Sequence, residues 1–144
     1  MFGEIGAIMM LGAGSFYDIK NRKIPLWIIC IGAGIVLVEL IGGLVFGLPF
    51  KDGKEYACSV LPGVFMLFLA YFTKEQVGAG DGILLILIGL LTDFEQAVWV
   101  LCVGLFIQSL LAVFLIMIRR ADKQCLIPFV PFMLVAELIF LWGF

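Results

Sequence analysis

The sequence predicts an all-α protein with about six transmembrane helices, and three observations support that fold class. Of the 144 residues, 64% are hydrophobic, and the mean hydropathy is +1.21. A soluble domain is closer to half apolar, so the chain is expected to lie in a lipid bilayer. Lipid permits only helices or closed barrels, and no two-residue alternation is present, so the spans are expected to be helical.

Six apolar segments occupy nearly the whole chain. The predicted spans are, in order, Phe2 to Tyr17, Ile24 to Leu48, Tyr56 to Phe72, Gly82 to Leu91, Gln96 to Ile118 and Ile127 to Phe144. They leave no room for a soluble domain, so residues 1–144 are expected to form a single membrane-embedded domain. A cleavable signal peptide is not expected, because the N-terminus lacks a basic region and further spans follow. No basic patch is large enough to bind nucleic acid. The chain is expected to be surrounded by membrane lipid.

Basic residues are distributed unequally between the two sides of the predicted bundle. Seven of the nine lie in the loops after spans 1, 3 and 5: Lys20, Arg22, Lys23, Lys74, Arg119, Arg120 and Lys123. The opposite side holds Lys51 and Lys54. By the positive-inside rule, the basic loops should face the cytoplasm of a cell (inner) membrane, with both termini outside.

Two aspartates lie at the ends of spans on this cytoplasmic side. Asp18 follows span 1, and Asp81 precedes span 4. A pair of carboxylates that shares one proton can hydrolyse a peptide bond without a metal or a covalent intermediate. Histidine is absent and no Cys-x-x-Cys pair occurs, which disfavours a zinc site and the Ser-His and Cys-His nucleophiles. We therefore expect acid-base chemistry at the carboxylates, with no metal and no cofactor.

Span 4 is unusually short. From Gly82 to Leu91 it covers about 15 Å as a helix, whereas a hydrocarbon core is about 30 Å thick. A thinned bilayer or a water-filled recess beside Asp81 would accommodate this length. Such a recess is what hydrolysis of a membrane substrate requires.

The segment Gly78-Ala-Gly-Asp-Gly82 has two interpretations. Asp81 could be an ordinary N-cap of span 4 in a flexible loop. Alternatively, the glycines at positions 78, 80 and 82 let the backbone approach an extended substrate closely, because they carry no Cβ. The residue pattern alone leaves both open.

The segment from Asp18 to Pro25 is also ambiguous. It could be a cytoplasmic turn in which basic residues set the topology and Pro25 lies in the first turn of span 2. Asp18 would then form an exposed ion pair with Lys20 or Arg22. Similarly, Pro128 and Pro131 could merely start span 6, or they could line the site.

Glu39 and Glu137 lie within spans 2 and 6. Ionisable groups inside a bilayer are functional candidates by default. Both are close to the outer ends of their spans, so we expect their carboxylates to reach the outer interface and to take no part in catalysis.

Taken together, three segments resemble the prepilin peptidase family of GxGD intramembrane aspartic proteases. They are Asp18 with Lys23-Ile24-Pro25, Gly78-Ala79-Gly80-Asp81, and Pro128-Phe129-Val130-Pro131. The resemblance covers essentially the whole chain and keeps the order of the elements. It implies that Asp18 and Asp81 are the catalytic pair, and we assign substrate contacts to Gly78, Gly80, Gly82, Lys23, Pro25, Pro128 and Pro131.

The resemblance also implies a substrate and a membrane face. The expected activity is cleavage of the basic leader of type IV prepilins, pseudopilins or archaellin-like precursors at the cytoplasmic face, as part of a type IV pilus or protein secretion system. The paired-cysteine methyltransferase region of larger members is absent, so N-methyltransferase activity is not expected. Ile83 stands where the family often has Lys, and the compact form is similar to the peptidases of tight-adherence (Flp-type) pili.

Helix polarity predicts different roles for the two carboxylates. Asp81 begins a helix, where the macrodipole favours an anion, and Asp18 ends one, so the shared proton is expected on Asp18. Two rival functions remain from sequence: a small ion- or proton-translocating protein, and a non-catalytic subunit of a membrane assembly whose helices merely pack. The position of the pair away from the bilayer centre and the lack of an inverted repeat argue against transport.

Overall fold

All regular secondary structure in the described part of the chain is helical. The computed structural model describes residues 2–21, 24–46, 51–73, 78–118 and 128–143. The helices are α1 Phe2–Asn21, α2 Leu26–Phe46, α3 Gly53–Phe72, α4 Ala79–Leu91, α5 Phe94–Met117 and α6 Val130–Gly143. The all-α prediction is confirmed, and the six helices follow the six predicted spans with ends displaced by a few residues. Most of the basic loop residues, namely Arg22, Lys23, Lys74, Arg119, Arg120 and Lys123, lie outside the described residues.

Three of these helices are long and apolar enough to cross a membrane: Leu26–Val45 within α2, Gly53–Phe72 and Phe94–Met117. Large apolar side chains cover their outer faces, and Leu44, Phe68 and Phe114 are each more than half exposed. Apolar surface of this extent is typical of helices that face lipid. The chain is therefore a membrane protein.

The short helix α4 lies at the centre of the bundle. Its side chains Leu84, Leu85 and Ile88 have no exposed surface. Glycines bring its backbone close to α3: a Cβ on Gly82 would lie 2.9 Å from Leu67 Cδ2, and Gly89 lies against the Ser59 carbonyl group. Absence of a side chain at these positions is what lets the two helices pack so closely.

Helices α5 and α6 pack antiparallel and with unequal lengths. The start of α6 lies beside the middle of α5, because a Cβ on Gly104 would be 3.4 Å from Phe129 Cε2. Beyond Gly104, α5 continues to Met117, about 20 Å further, and the buried residues of α5 all precede this stretch. The end of the bundle that carries the start of α6 therefore stops well short of the end of α5.

Candidate active site

Asp18 is buried against the start of α6. It lies in the last turn of α1 and is 7% exposed. The backbone N–H of Val130 donates a hydrogen bond to Asp18 Oδ2 at 3.2 Å, and the N–H of Phe129 also donates to this carboxyl group. The first N–H groups of a helix have no partner within the helix, so a carboxylate placed there satisfies them. The exposed position that the ion-pair interpretation gave to Asp18 is therefore wrong, and Arg22, one of its two suggested partners, lies outside the described residues.

Asp81 lies in the first turn of α4 and is 8% exposed. The helix is capped by Gly78, with no side-chain capping hydrogen bond, so Asp81 is not the N-cap that the sequence allowed. Its backbone N–H donates to the Gly78 carbonyl oxygen at 3.1 Å. A Cβ at Gly78 would lie 2.9 Å from Asp81 Oδ2. Glycine at position 78 therefore leaves room beside the carboxyl group.

The packing of α1, α4 and α6 brings the two aspartates together. Gly14 lies one turn before Asp18, and a Cβ there would be 3.2 Å from Val130 Cγ1 and 3.6 Å from Leu84 Cδ1. Leu84 in turn lies one turn after Asp81. The two carboxyl groups are close enough to interact electrostatically. Like charges at short range disfavour each other, so the pair is expected to hold one proton and to titrate as a unit.

The hydrogen bonds in the described part of the chain favour the opposite proton assignment to the one expected from helix polarity. A helix terminus changes the energy of a nearby charge by about 0.3–1 kcal/mol, whereas a hydrogen bond to a charged group contributes about 1.5–3 kcal/mol. Asp18 receives two backbone donors, from Val130 and Phe129. These donors favour the negative charge on Asp18 and hence the shared proton on Asp81.

The other predicted site residues divide into two groups. Gly80 and Gly82 pack against the chain itself, since a Cβ on either would lie 2.9 Å from Ile24 Cδ1 or from Leu67 Cδ2 respectively. Gly80 thus lies close to the segment that precedes α2, and Gly82 lies close to α3. Substrate contact at these two positions stays a prediction. Pro25, Pro128 and Pro131 are partly exposed at the helix ends beside the aspartates, and Lys23 lies outside the described residues.

The two glutamates within the spans have different surroundings. Glu39 is exposed on α2. Glu137 is fully buried, and Gln96 Nε2 donates a hydrogen bond to its Oε1 at 2.7 Å. The expectation that Glu137 reaches the outer interface is therefore wrong, because its carboxyl group points into the α5–α6 interface.

Sequence reasoning missed the backbone donors of α6 and the Gln96–Glu137 pair. The first had a signal, because Pro128 and Pro131 mark a helix start, and a helix start carries free N–H groups. The second had only a weak one, namely two polar residues in apolar helices. Neither pattern says which residue across the fold is the partner.

The model of the type IV leader peptidase family matches residues 5–118. Searches of curated proteins and of solved structures give no significant match. The matched region includes both aspartates and ends before α6.

Proposed function

This chain belongs to the type IV leader peptidase family, and we propose that it is an aspartic endopeptidase that removes the basic leader of type IV prepilin-like precursors. The observation that supports this most strongly is the buried pair of Asp18 and Asp81, which α1 and α4 bring into electrostatic contact. Two carboxyl groups with one shared proton provide both the acid and the base for peptide hydrolysis. The proposed peptidase domain extends over residues 1–144.

The proposed reaction assigns one role to each carboxyl group. Asp18, as the carboxylate, takes a proton from a water molecule whose oxygen attacks the scissile carbonyl carbon. Asp81, as the acid, gives its proton to the carbonyl oxygen, and a tetrahedral diol forms. When the C–N bond breaks, Asp18 passes its proton to the leaving nitrogen, and the diol returns a proton to Asp81. The pair thereby regains its starting state.

The unequal helix lengths support access of water and substrate to the pair. The start of α6 lies beside Gly104, while α5 continues about 20 Å further. A leader peptide held at the surface would lie beside this exposed half of α5, with its scissile bond lowered towards Asp18 and Asp81. Gly78, Pro25, Pro128 and Pro131 are the proposed contacts at this end.

The membrane face follows from the same end of the bundle. The residues around the aspartates adjoin the loops that carry seven of the nine basic residues. We propose that this end faces the cytoplasm of the cell membrane and that both termini lie outside. A precursor whose basic leader stays in the cytoplasm then presents its cleavage site beside the pair.

Asparagine substitutions test the assignment. In membranes that contain a co-expressed prepilin, Asp18→Asn and Asp81→Asn should each lower cleavage by at least about a thousandfold, because each removes an acid-base group. Asp93→Asn is the matched control, since this exposed residue pairs with Lys51 near the opposite end of α4. Insertion of all three variants is checked by their amounts in the membrane fraction.

The result decides between the three classes of function. Substantial cleavage by either Asp18→Asn or Asp81→Asn would refute the aspartic mechanism. An intact precursor with the wild-type protein, across several prepilins and pseudopilins, would favour the translocating protein or the assembly subunit instead.

A further inference from the structure

We propose that Glu137 is a positioning residue for the active site, acting as a hydrogen-bond acceptor that fixes α6 against α5 and thereby holds the Val130 N–H on Asp18. This inference rests on the proposed function of Asp18. Glu137 itself lies two turns along α6 from Val130 and touches no reacting group.

The first step of the argument is the burial of the Gln96–Glu137 pair. Glu137 is 0% exposed and Gln96 4% exposed, and the two join α5 to α6 through a 2.7 Å hydrogen bond. In the described part of the chain, Glu137 Oε2 is buried and has no hydrogen-bond partner. The titratable group that faces Glu137 from α1 is another acid, Glu4. A full negative charge in these surroundings is strongly disfavoured, so Glu137 acts as a neutral acid.

The second step is the spacing of contacts along the two helices. At the end near the aspartates, a Cβ on Gly104 would lie 3.4 Å from Phe129 Cε2 and 3.6 Å from the Met133 backbone nitrogen, so the two helices approach closely there. Gln96 lies eight residues before Gly104, and Glu137 lies eight residues after Phe129. The two contacts are therefore separated by the same number of residues on the α5 side and on the α6 side. In an antiparallel pair, this fixes the register of one helix against the other at both positions.

The third step connects this register to Asp18. The Val130 N–H reaches Asp18 Oδ2 at 3.2 Å, near the long end of the range for such a bond. The close approach of Gly104 to Phe129 involves no directional bond, so it allows sliding and rotation. The directional Gln96–Glu137 bond does not, so loss of it lets α6 move and weakens the donors to Asp18. The titratable group that faces Asp18 from α4 is Asp81.

Two conservative variants distinguish the effect of side-chain length at position 137 from the effect of an ionisable group there. Glu137→Gln keeps the length and the accepting oxygen but removes the ionisable group. Glu137→Asp keeps the carboxyl group but is one methylene shorter, so it reaches Gln96 only if α6 moves. We measure the pH profile of kcat/KM for leader cleavage, whose acid limb reports the first ionisation of the Asp18–Asp81 pair in the free enzyme, which the backbone donors to Asp18 favour.

The expected results differ clearly. Glu137→Gln should keep the wild-type acid limb, whereas Glu137→Asp should move it to higher pH by about one unit, because a carboxylate with weaker donors ionises less readily. Glu39→Asp on α2 is the matched control and should leave the limb unchanged. A merely structural role for Glu137 would lower the amount of inserted protein or the rate at every pH without moving the limb.

Either of two outcomes overturns the proposal. One is an acid limb that stays in place in Glu137→Asp, and the other is a limb that moves in Glu137→Gln. The second would point to a required charge at position 137. Failure of the proposed function is distinguishable from both, because it shows as cleavage by Asp18→Asn, whatever the position-137 variants do.

Discussion

The contact between Gly14 and Val130 gives the sharpest test of the site geometry. A Cβ added at Gly14 would lie 3.2 Å from Val130 Cγ1, closer than an unstrained contact between carbon atoms of about 3.5–4.0 Å. Val130 is fully buried and β-branched, so its side chain has little freedom to turn away. Gly14→Ala should therefore move α1 and α6 apart by a few tenths of an ångström.

The consequence for Asp18 follows from its hydrogen bond. At 3.2 Å from Val130 N to Asp18 Oδ2, a shift of this size takes the pair beyond normal hydrogen-bond distance. Loss of a hydrogen bond to a charged group costs about 1.5–3 kcal/mol, which corresponds to a rate decrease of about 10- to 100-fold. We expect this loss in kcat/KM for leader cleavage at acidic pH, where protonation opposes the ionised form of Asp18.

Two further variants isolate the cause. Gly12→Ala lies on the same helix, where an added Cβ meets nothing within 4 Å, and it should keep wild-type activity while gaining the same helix propensity. Val130→Ala removes the obstructing methyl group but keeps the N–H donor. The double variant Gly14→Ala/Val130→Ala should therefore recover activity relative to Gly14→Ala alone. Equal activity of Gly14→Ala and Gly12→Ala, or no recovery in the double variant, would refute the reasoning.

Three other predictions address packing, surface charge and pH. Gly89→Ala should sharply reduce the amount of folded protein in detergent, because its Cβ would strike the Ser59 carbonyl group, whereas Gly42→Ala, with open space around it, should not. Asp93→Ala should change the thermal midpoint little, because Asp93 is 75% exposed in its 3.1 Å ion pair with Lys51, and ion pairs with an exposed partner contribute at most about 1 kcal/mol. The pH profile of kcat/KM should be bell-shaped, since the two carboxyl groups act as a pair. For the same reason, Asp81→Asn should abolish activity and not merely shift one limb of the profile. Residual activity of Asp81→Asn with a shifted limb would contradict this.

The helices could be predicted from sequence because the bilayer imposes the pattern. Long apolar runs such as Leu26–Val45 and Phe94–Met117 are interrupted by charged or proline-rich loops, and backbone polar groups in lipid must be satisfied within helices. The short length of α4 was also predictable, from the small number of residues between Asp81 and Asp93 in the sequence. The helix ends were less so: α1 continues past Asp18 to Asn21, because apolarity ends before the helix does.

The two aspartates could be predicted from the sequence as the candidate pair. Which of them carries the negative charge could not be predicted. Asp18 and Asp81 are acids in distinctive local segments, and the absence of histidine left them as the chemical candidates. Their relative charge depends on a hydrogen bond between residues 112 positions apart in the chain. Local helix polarity, from which the proton was expected on Asp18, predicts the opposite assignment and has the smaller energy.

The segment that favours this difference lies outside the residues that the family model matches, although its sequence at residues 128–131 belongs to the resemblance described above. The family match ends at residue 118, whereas the donors to Asp18 belong to Phe129 and Val130. They are backbone groups, so any residue except proline provides them at these positions, provided that α6 begins there and keeps its register. Selection on this part of the site would therefore act on helix start and helix packing, through Pro128 and the Gln96–Glu137 bond, rather than on the residues that touch Asp18. A catalytic pair with clear side-chain motifs can in this way depend on backbone groups of a third segment, residues 128–131, whose sequence marks a helix start but does not reveal the partner.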